Sequence, residues 1–231
     1  GNSGSNGGEV TLNAKNQELI GDIELDSLSS IEITEITDEI IALIKENSKI
    51  APHLHIPVQS CDNTILKAMN RPYTIEEFME RVAYIRSMIP DISISTDLIV
   101  GFPGGNDELF ENTVQKLKEI NFSFIHVFPY SRKSGTVADK MENHIDPKIK
   151  KQRVRKVIDL QKDLTLNFKK RFENRNLQVL IERNRDGFSF GYSREYIYVK
   201  CKDILEVGSV YEIVIDNVDE EVIGHALKRI I

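Results

Sequence analysis

ISISTDLIVGFPGGNDELFENTVQKLKEINFSFIHVF, residues 92–128, contains one complete strand–helix–strand unit. Residues 92–100 are rich in β-branched side chains and run into the turn GFPGGN, as a buried strand does. From Asp107 the period changes: Phe110, Val114, Leu117 and Ile120 recur at helical spacing. FSFIHVF (122–128) then returns to strand texture. Two strands joined through a helix run parallel, because an antiparallel pair needs only a tight turn.

The same alternation recurs on either side of this unit. HLHIPV (53–58) reads as a strand, and TIEEFMERVAYIRSM (74–88) as a helix opened by a Thr74/Glu77 capping box, with Phe78, Val82, Ile85 and Ile89 on one stripe. TDEIIALIKEN (37–47) is a helix capped by Thr37, and EVTLN (9–13) a short strand. This order predicts βαβ units around a parallel sheet, an α/β barrel or part of one, with an open doubly wound sheet as competitor. From Pro147, a good first helical residue, a long helix runs to about Phe172 with Val154, Val157, Gln161, Leu164, Phe168 and Phe172 at helical spacing. LQVLIE, FSFGYS, YIYVKC, VYEIVI and VIGHALKRI follow at the near-regular spacing of a small all-β barrel. The chain therefore divides into a flexible linker or cloning scar (1–8), an α/β part (9–146), a basic connecting helix (147–174) and a β-barrel (175–231).

With 231 residues, 40% hydrophobic and 29% charged, the composition is that of a globular protein with a real core. No apolar run approaches the roughly 18 residues of a membrane span, and no membrane partner is expected. Cys61 and Cys201 are too few for a disulfide framework, and GNSGSNGG is not a signal peptide, so a cytoplasmic location is expected. The net charge of −6 conceals an asymmetry: residues 147–174 carry 10 basic and 3 acidic side chains, against 12 and 23 in residues 1–146. Such a segment suits a polyanion, or is simply a solvated helix face.

In parallel α/β folds, ligands meet the carboxyl ends of the strands. The polar insertions fall there: Ser29, Ser30 and Glu32; Gln59, Ser60, Cys61 and Asp62; Asp97 and the turn after Val100; and Pro129 to Lys133. Gly101, Pro103, Gly104 and Gly105 either approach a ligand or only make a tight turn. His53 and His55, two apart, share one strand face and read more readily as paired interior histidines than as metal ligands. Nothing in the sequence around Cys61 marks it as a nucleophile.

Three stretches carry a resemblance: HLHIPVQSCDNTILKAMNRPYT (53–74), STDLIVGFPGGNDELFENT (95–113) and HVFPYSRKSGTVADKM (126–141). Together they resemble the radical S-adenosylmethionine (SAM) methylthiotransferases. These enzymes add a methylthio group to a hypermodified adenosine at position 37 of tRNA, beside the anticodon, or to a ribosomal protein. SSIEITEITDEII (29–41) resembles the preceding segment, and residues 175–231 resemble the RNA-binding TRAM barrel of that family. The implied architecture is a partial (β/α) radical-SAM barrel followed by a TRAM barrel. PHLHIPVQS and HVFPYSRKSGT are most similar to the branch acting on N6-threonylcarbamoyladenosine. The isopentenyladenosine branch, the ribosomal-protein branch and a non-catalytic RNA-binding fragment are the alternatives.

For the intact enzyme the resemblance implies reductive cleavage of SAM at a [4Fe–4S] cluster, with sulfur delivered through a second such cluster to C2 of the adenine. The cysteines that hold these clusters in the family are absent here, so the chain alone is expected to be inactive. The resemblance implies that Ser30, Glu32, Gln59 and Ser60 lie near the methionine or ribose part of SAM, and Gly101, Phe102 and Val127 near its adenine. A tRNA anticodon stem-loop is the implied partner. Arg132, Lys133, Lys150, Arg153, Lys156, Arg183, Arg185 and Lys200 are expected at its phosphates, and Tyr192 and Tyr196 at its bases. Two departures fall inside the motifs: Cys61 stands where the family has glycine, and Gly105 and Asn106 replace a usual Glu–Thr pair, which removes an expected ordering contact of the turn.

Overall fold

The computed structural model describes residues 26–28 and 31–231, with only the backbone described for 26–28. The linker, EVTLN, Ser29 and Ser30 lie outside the described residues. The described chain begins with β1 (Asp26–Leu28), a 3-10 turn at Ile33–Glu35, α1 (Asp38–Glu46), β2 (Ile50–His55), α2 (Asn63–Ala68) and α3 (Ile75–Met88). It continues through β3 (Ser93–Val100), α4 (Asp107–Ile120), β4 (Phe124–Pro129) and α5 (Pro147–Lys170). The four strands form one parallel sheet in the order β1-β2-β3-β4, so the alternation reads out as adjacent βαβ units.

Caps fix the helix starts. Thr74 and Glu77 form the expected box at α3, Thr37 accepts from the Ile40 amide at α1, and Asn106 accepts from the Leu109 amide at α4. The short α2 carries no signal in the hydrophobic pattern; Asp62 creates it by accepting from the Thr64 and Ile65 amides. One sheet face, through Leu54, Ile94, Leu98 and Ile125, packs on Ile41 and Ile44, on Phe78, Val82 and Ile85, and on Val114 and Leu117. The opposite face carries His53, His55, Ser93, Ser95, Asp97, Phe124 and His126. A strand buried on both faces would be apolar throughout. These strands are instead two-sided, as barrel staves with an interior surface are.

After α5 the chain forms a closed barrel, order β5-β6-β7-β9-β8, from β5 (Asn176–Arg185), β6 (Phe188–Ser193), β7 (Tyr198–Cys201), β8 (Val210–Val218) and β9 (Val222–Arg229). Its core is Val179, Ile181, Val199, Ile213, Ile215 and Val222. Gly191 is required by the closure, since a Cβ there would overlap the Leu180 carbonyl. Helix α5 and the turn that follows it belong to both cores: Val157 and Leu164 pack on the sheet side, Phe168 and, just past the helix, Phe172 on the barrel side.

Candidate functional site

The carboxyl end of the sheet is organised by Gln59. Its amide donates to the Asp97 carbonyl at 2.9 Å and its own carbonyl accepts from the Ile99 amide at 2.9 Å, which lengthens β2 against β3 beyond the regular ladder. Gln59 does so at φ 61°, a left-handed backbone that costs an L residue about 1–2 kcal/mol. Ser60 follows, buried, its Oγ accepting from the Asp62 amide. One strand over, Gly101 takes φ 75° in the turn, and a Cβ there would strike the Lys150 side chain. The structure thus brings Gln59, Ser60, Gly101 and Phe102 to neighbouring strand ends.

Their side chains do not all face one ligand. Ser60, Gly101 and Phe102 line a space of only about 30 Å³ with Gly105, Phe110 and Arg153, room for a water and not for a cofactor. The Phe102 ring lies edge-on to Tyr130 at 5.1 Å. Val127, expected beside an adenine, packs into the helix-side core, because alternation along β4 turns it with Ile125 away from the open face. Glu32 is held by Arg71 in an ion pair of 2.5 Å. Gln59 and Glu32 are the two of these side chains that are only half-buried at this end.

Packing redirects several cations of the basic helix away from solvent. Arg153, expected to face a phosphate, is 6% exposed. Its guanidinium donates to the Gly105 carbonyl at 2.7 Å and to Asp107 at 2.8 Å, and lies over the Phe110 ring. This contact orders the turn that lacks the family's Glu–Thr pair, and it comes from the helix rather than from the turn. Lys150 donates to the Tyr130 carbonyl at 2.9 Å, and Lys156 pairs with Glu111 at 2.5 Å. Lys148, Lys151 and Arg155 are exposed, and Lys151 lines a space with Lys150, Tyr130 and Arg132. Arg132 is exposed and paired with Asp139 at 3.0 Å, next to the exposed Lys133.

On the barrel, alternation along β6 turns Phe188, Phe190 and Tyr192 outward, beside Tyr198 and Lys200 of β7. Arg183 lies over Phe190 and Tyr198 at 5.5 and 5.7 Å, and Lys200 lies over Phe188 at 4.5 Å while pairing with Glu221. Arg185 is exposed and paired with Asp186. The result is an outward aromatic stripe edged by cations. Arg194 is a clamp between the two parts, donating to the Ile50 carbonyl at 2.9 Å.

Between sheet and barrel lies a cavity of about 610 Å³, a feature that strand periodicity could not reveal because its walls come from both parts. His53 stacks on Tyr196, ring centres 4.2 Å apart and planes 17° from parallel. His53 Nε2 and His55 Nδ1 both meet the Ser95 hydroxyl, at 3.2 and 2.9 Å. One hydroxyl proton cannot serve both, so at least one imidazole is the donor. His55 Nε2 lies 3.3 Å from Asp97 Oδ1, and His126 sits edge-on to His55. Burial pulls the His53 pKa down to about 4, so its ring is neutral near pH 7.

An iron–sulfur cluster does not fit these residues. Such clusters need several thiolates together. Cys61 lies in the sheet-side core and Cys201 in the barrel core; both are buried, and burial raises both thiol pKa values. Among the described residues no three His, Cys, Asp or Glu side chains come together as a metal site. Nor, among them, is any helix long and apolar enough to cross a membrane.

Comparison with known proteins agrees with this architecture. Residues 6–117 match the model of the Radical SAM superfamily. Over 180 residues the chain is 39% identical to the threonylcarbamoyladenosine tRNA methylthiotransferase MtaB of Bacillus subtilis, covering 76% of this chain and 40% of that one. Over 194 residues it is 40% identical to MtaB of Aquifex aeolicus, covering 84% and 46%. Over 180 residues it is 38% identical to the tRNA-2-methylthio-N(6)-dimethylallyladenosine synthase of Thermodesulfovibrio yellowstonii, covering 78% and 42%. The chain therefore spans less than half the length of these relatives. The parallel sheet with its polar inner face, the barrel behind it and these identities along most of the chain lead to one assignment: it belongs to the radical SAM methylthiotransferases.

Proposed function

We propose that this chain is the sheet and RNA-binding portion of a tRNA methylthiotransferase acting on C2 of N6-threonylcarbamoyladenosine at position 37. The observation that carries this reading is the coupling, within one chain, of the Gln59–Gly101 strand ends to a barrel with an outward aromatic and basic stripe. The first is where a parallel α/β fold receives a cofactor, and the second is chemistry suited to unstacked bases and phosphates. The similarity of PHLHIPVQS and HVFPYSRKSGT to the threonylcarbamoyladenosine branch supports that choice of substrate.

SAM, when bound, supplies the radical and the methyl group. The role of this chain's own residues is to border it. Gln59 offers an amide side chain at the strand end and Glu32 a carboxylate held by Arg71. Two buried cysteines in separate cores leave the clusters to residues outside this chain, so the isolated chain is expected to be inactive. The anticodon stem-loop would lie along Arg132, Lys133 and the exposed cations of α5 and meet the barrel stripe at Arg183, Tyr192 and Tyr196.

Mass spectrometry of tRNA nucleosides from a strain lacking the gene tests the assignment. The methylthio form of threonylcarbamoyladenosine should disappear and its unmodified precursor accumulate. An unchanged level defeats the reading. Loss of the methylthio group from dimethylallyladenosine instead moves the protein to the second branch, which the Thermodesulfovibrio relative keeps in view.

A further inference from the structure

Arg153 holds a charge that its buried surroundings do not balance. Its side chain is 6% exposed and its guanidinium lies over the Phe110 ring, 5.1 Å from the ring centre. One terminal nitrogen donates to the Gly105 carbonyl at 2.7 Å, a neutral acceptor, and the other donates to Asp107 at 2.8 Å. The Asp107 side chain is 86% exposed, so solvent screens its carboxylate and the pair does little for the buried end. A buried cation without a buried counter-charge is costly.

Arg153 also has a donor left over. Its Nε is buried and meets no hydrogen-bond partner among the described residues. The side chain lines the space of about 30 Å³ beside the Gly101 turn. Ser60 lines the same space and is 4% exposed; its Oγ accepts from the Asp62 amide, which leaves the hydroxyl proton to donate. Asn106 and Leu109 bring up the start of the 14-residue α4, and the amino end of a helix carries partial positive charge. Arg153, Ser60 and the helix end thus turn donors and positive charge toward one small space.

The rest of the wall is mostly apolar, through Ile65, Ile99, Val100, Phe102 and Phe110, and the Thr113 hydroxyl donates to the Leu109 carbonyl. Among the described residues no Asp or Glu lines the space. Its size admits one particle on the scale of a water molecule, which excludes phosphate and sulfate. Water would accept from the donors, but it brings two protons that need acceptors and leaves the guanidinium charge unbalanced. A small anion has no proton to place and supplies the missing counter-charge through charge-assisted hydrogen bonds. Chloride is little larger than water and meets both conditions.

We infer that this space is a binding site for one small monovalent anion of the halide class, held between Arg153 Nε and the Ser60 hydroxyl at the amino end of α4. The anion ties the Gln59–Ser60 turn, the 101–105 turn and α5 together, and so couples the order of these strand ends to chloride. The site is independent of which nucleoside the protein modifies.

The test uses the full chain. In crystals soaked in sodium bromide, an anomalous peak should stand within hydrogen-bonding distance of Arg153 Nε and Ser60 Oγ. In solution, replacing sodium gluconate, whose anion is too large for the space, by sodium chloride at constant ionic strength should raise the unfolding temperature. The rise should be about 3–5 °C for an anion present at roughly ten times its Kd. Ser60→Ala should weaken the anion about tenfold, read from the chloride concentration at which the shift is half complete. Asn106→Asp keeps a side-chain cap on the Leu109 amide and adds negative charge beside the space; it should fold in gluconate and lose the chloride response. A water with no anomalous signal, a wild-type protein indifferent to chloride, or a response that either variant leaves unchanged overturns the site.

Discussion

His53 shows how one side chain can record its tertiary setting in a pH profile. It is neutral in the folded protein down to about pH 4, whereas in the unfolded chain it takes up a proton below about pH 6.5. Between these values the unfolded state binds more protons, so stability rises with pH across the window. Its contribution is fully present above pH 6.5 and is lost as pH falls to 4. The size is on the order of 3 kcal/mol, from the shift of the pKa. Urea unfolding at pH 6.5 and pH 4 should therefore show a larger fall for the wild-type protein than for His53→Gln. Equal falls would mean that the imidazole is not desolvated. At the same scale Cys61, which by residue type invites a nucleophilic role, is a small buried apolar group between the Gln59 turn and α2. Its thiolate is suppressed by burial, with Asp62 beside it adding to the effect.

Helix α5 is the element whose charge and function part company. Its sequence displays a run of basic residues, but packing divides them into groups with different jobs. Arg153 is a structural strut from the helix to the Gly105 carbonyl and Asp107, and Lys150 and Lys156 hold neighbouring loops and helices. Arg153→Ala should destabilise the protein by about 2 kcal/mol, because it strands a buried carbonyl and opens a gap over Phe110; the exposed Asp107 end of the pair adds little. Arg155→Ala should change stability by less than about 0.5 kcal/mol. tRNA binding reverses the ranking. Substituting Lys148, Lys151 and Arg155 together should flatten the dependence of log K on log salt by about 2–3 units, while substituting Arg153 with Met should leave the slope unchanged. Salt titrations of the two variants check this, and an unchanged slope in the triple variant would return α5 to a plain solvated face.

At the scale of the whole molecule, α5 runs unbroken from one core to the other. Leu164 packs against the sheet side, and Phe168, one turn later, against the barrel. Arg171 and Arg175 at its end pair with Asp91 at the α3–β3 junction, and Arg194 ties the barrel to Ile50. Unfolding of the two parts should accordingly be one calorimetric transition. Thr165→Pro removes a helical hydrogen bond between the two cores at a cost of about 3 kcal/mol and should split that transition into two. A single transition in the variant would place the coupling in the direct sheet–barrel contacts instead.

Local sequence carries the order and type of most elements, α2 and β1 excepted, and the resemblance to the family. Those follow from local periodicity, caps and turn residues, as at Thr74, Asn106 and the 92–128 unit. It also displayed the alternation that turns His53 and His55 to one face. Tertiary structure alone decided which of the suggestive side chains are available. Arg153 and Ser60 are buried, Val127 turns toward the helix-side core, Tyr196 is stacked on His53, and the cavity has walls from segments more than a hundred residues apart. The physical reason is that periodicity encodes which way a side chain points within its element, whereas burial and partnership depend on what the rest of the chain brings against that face.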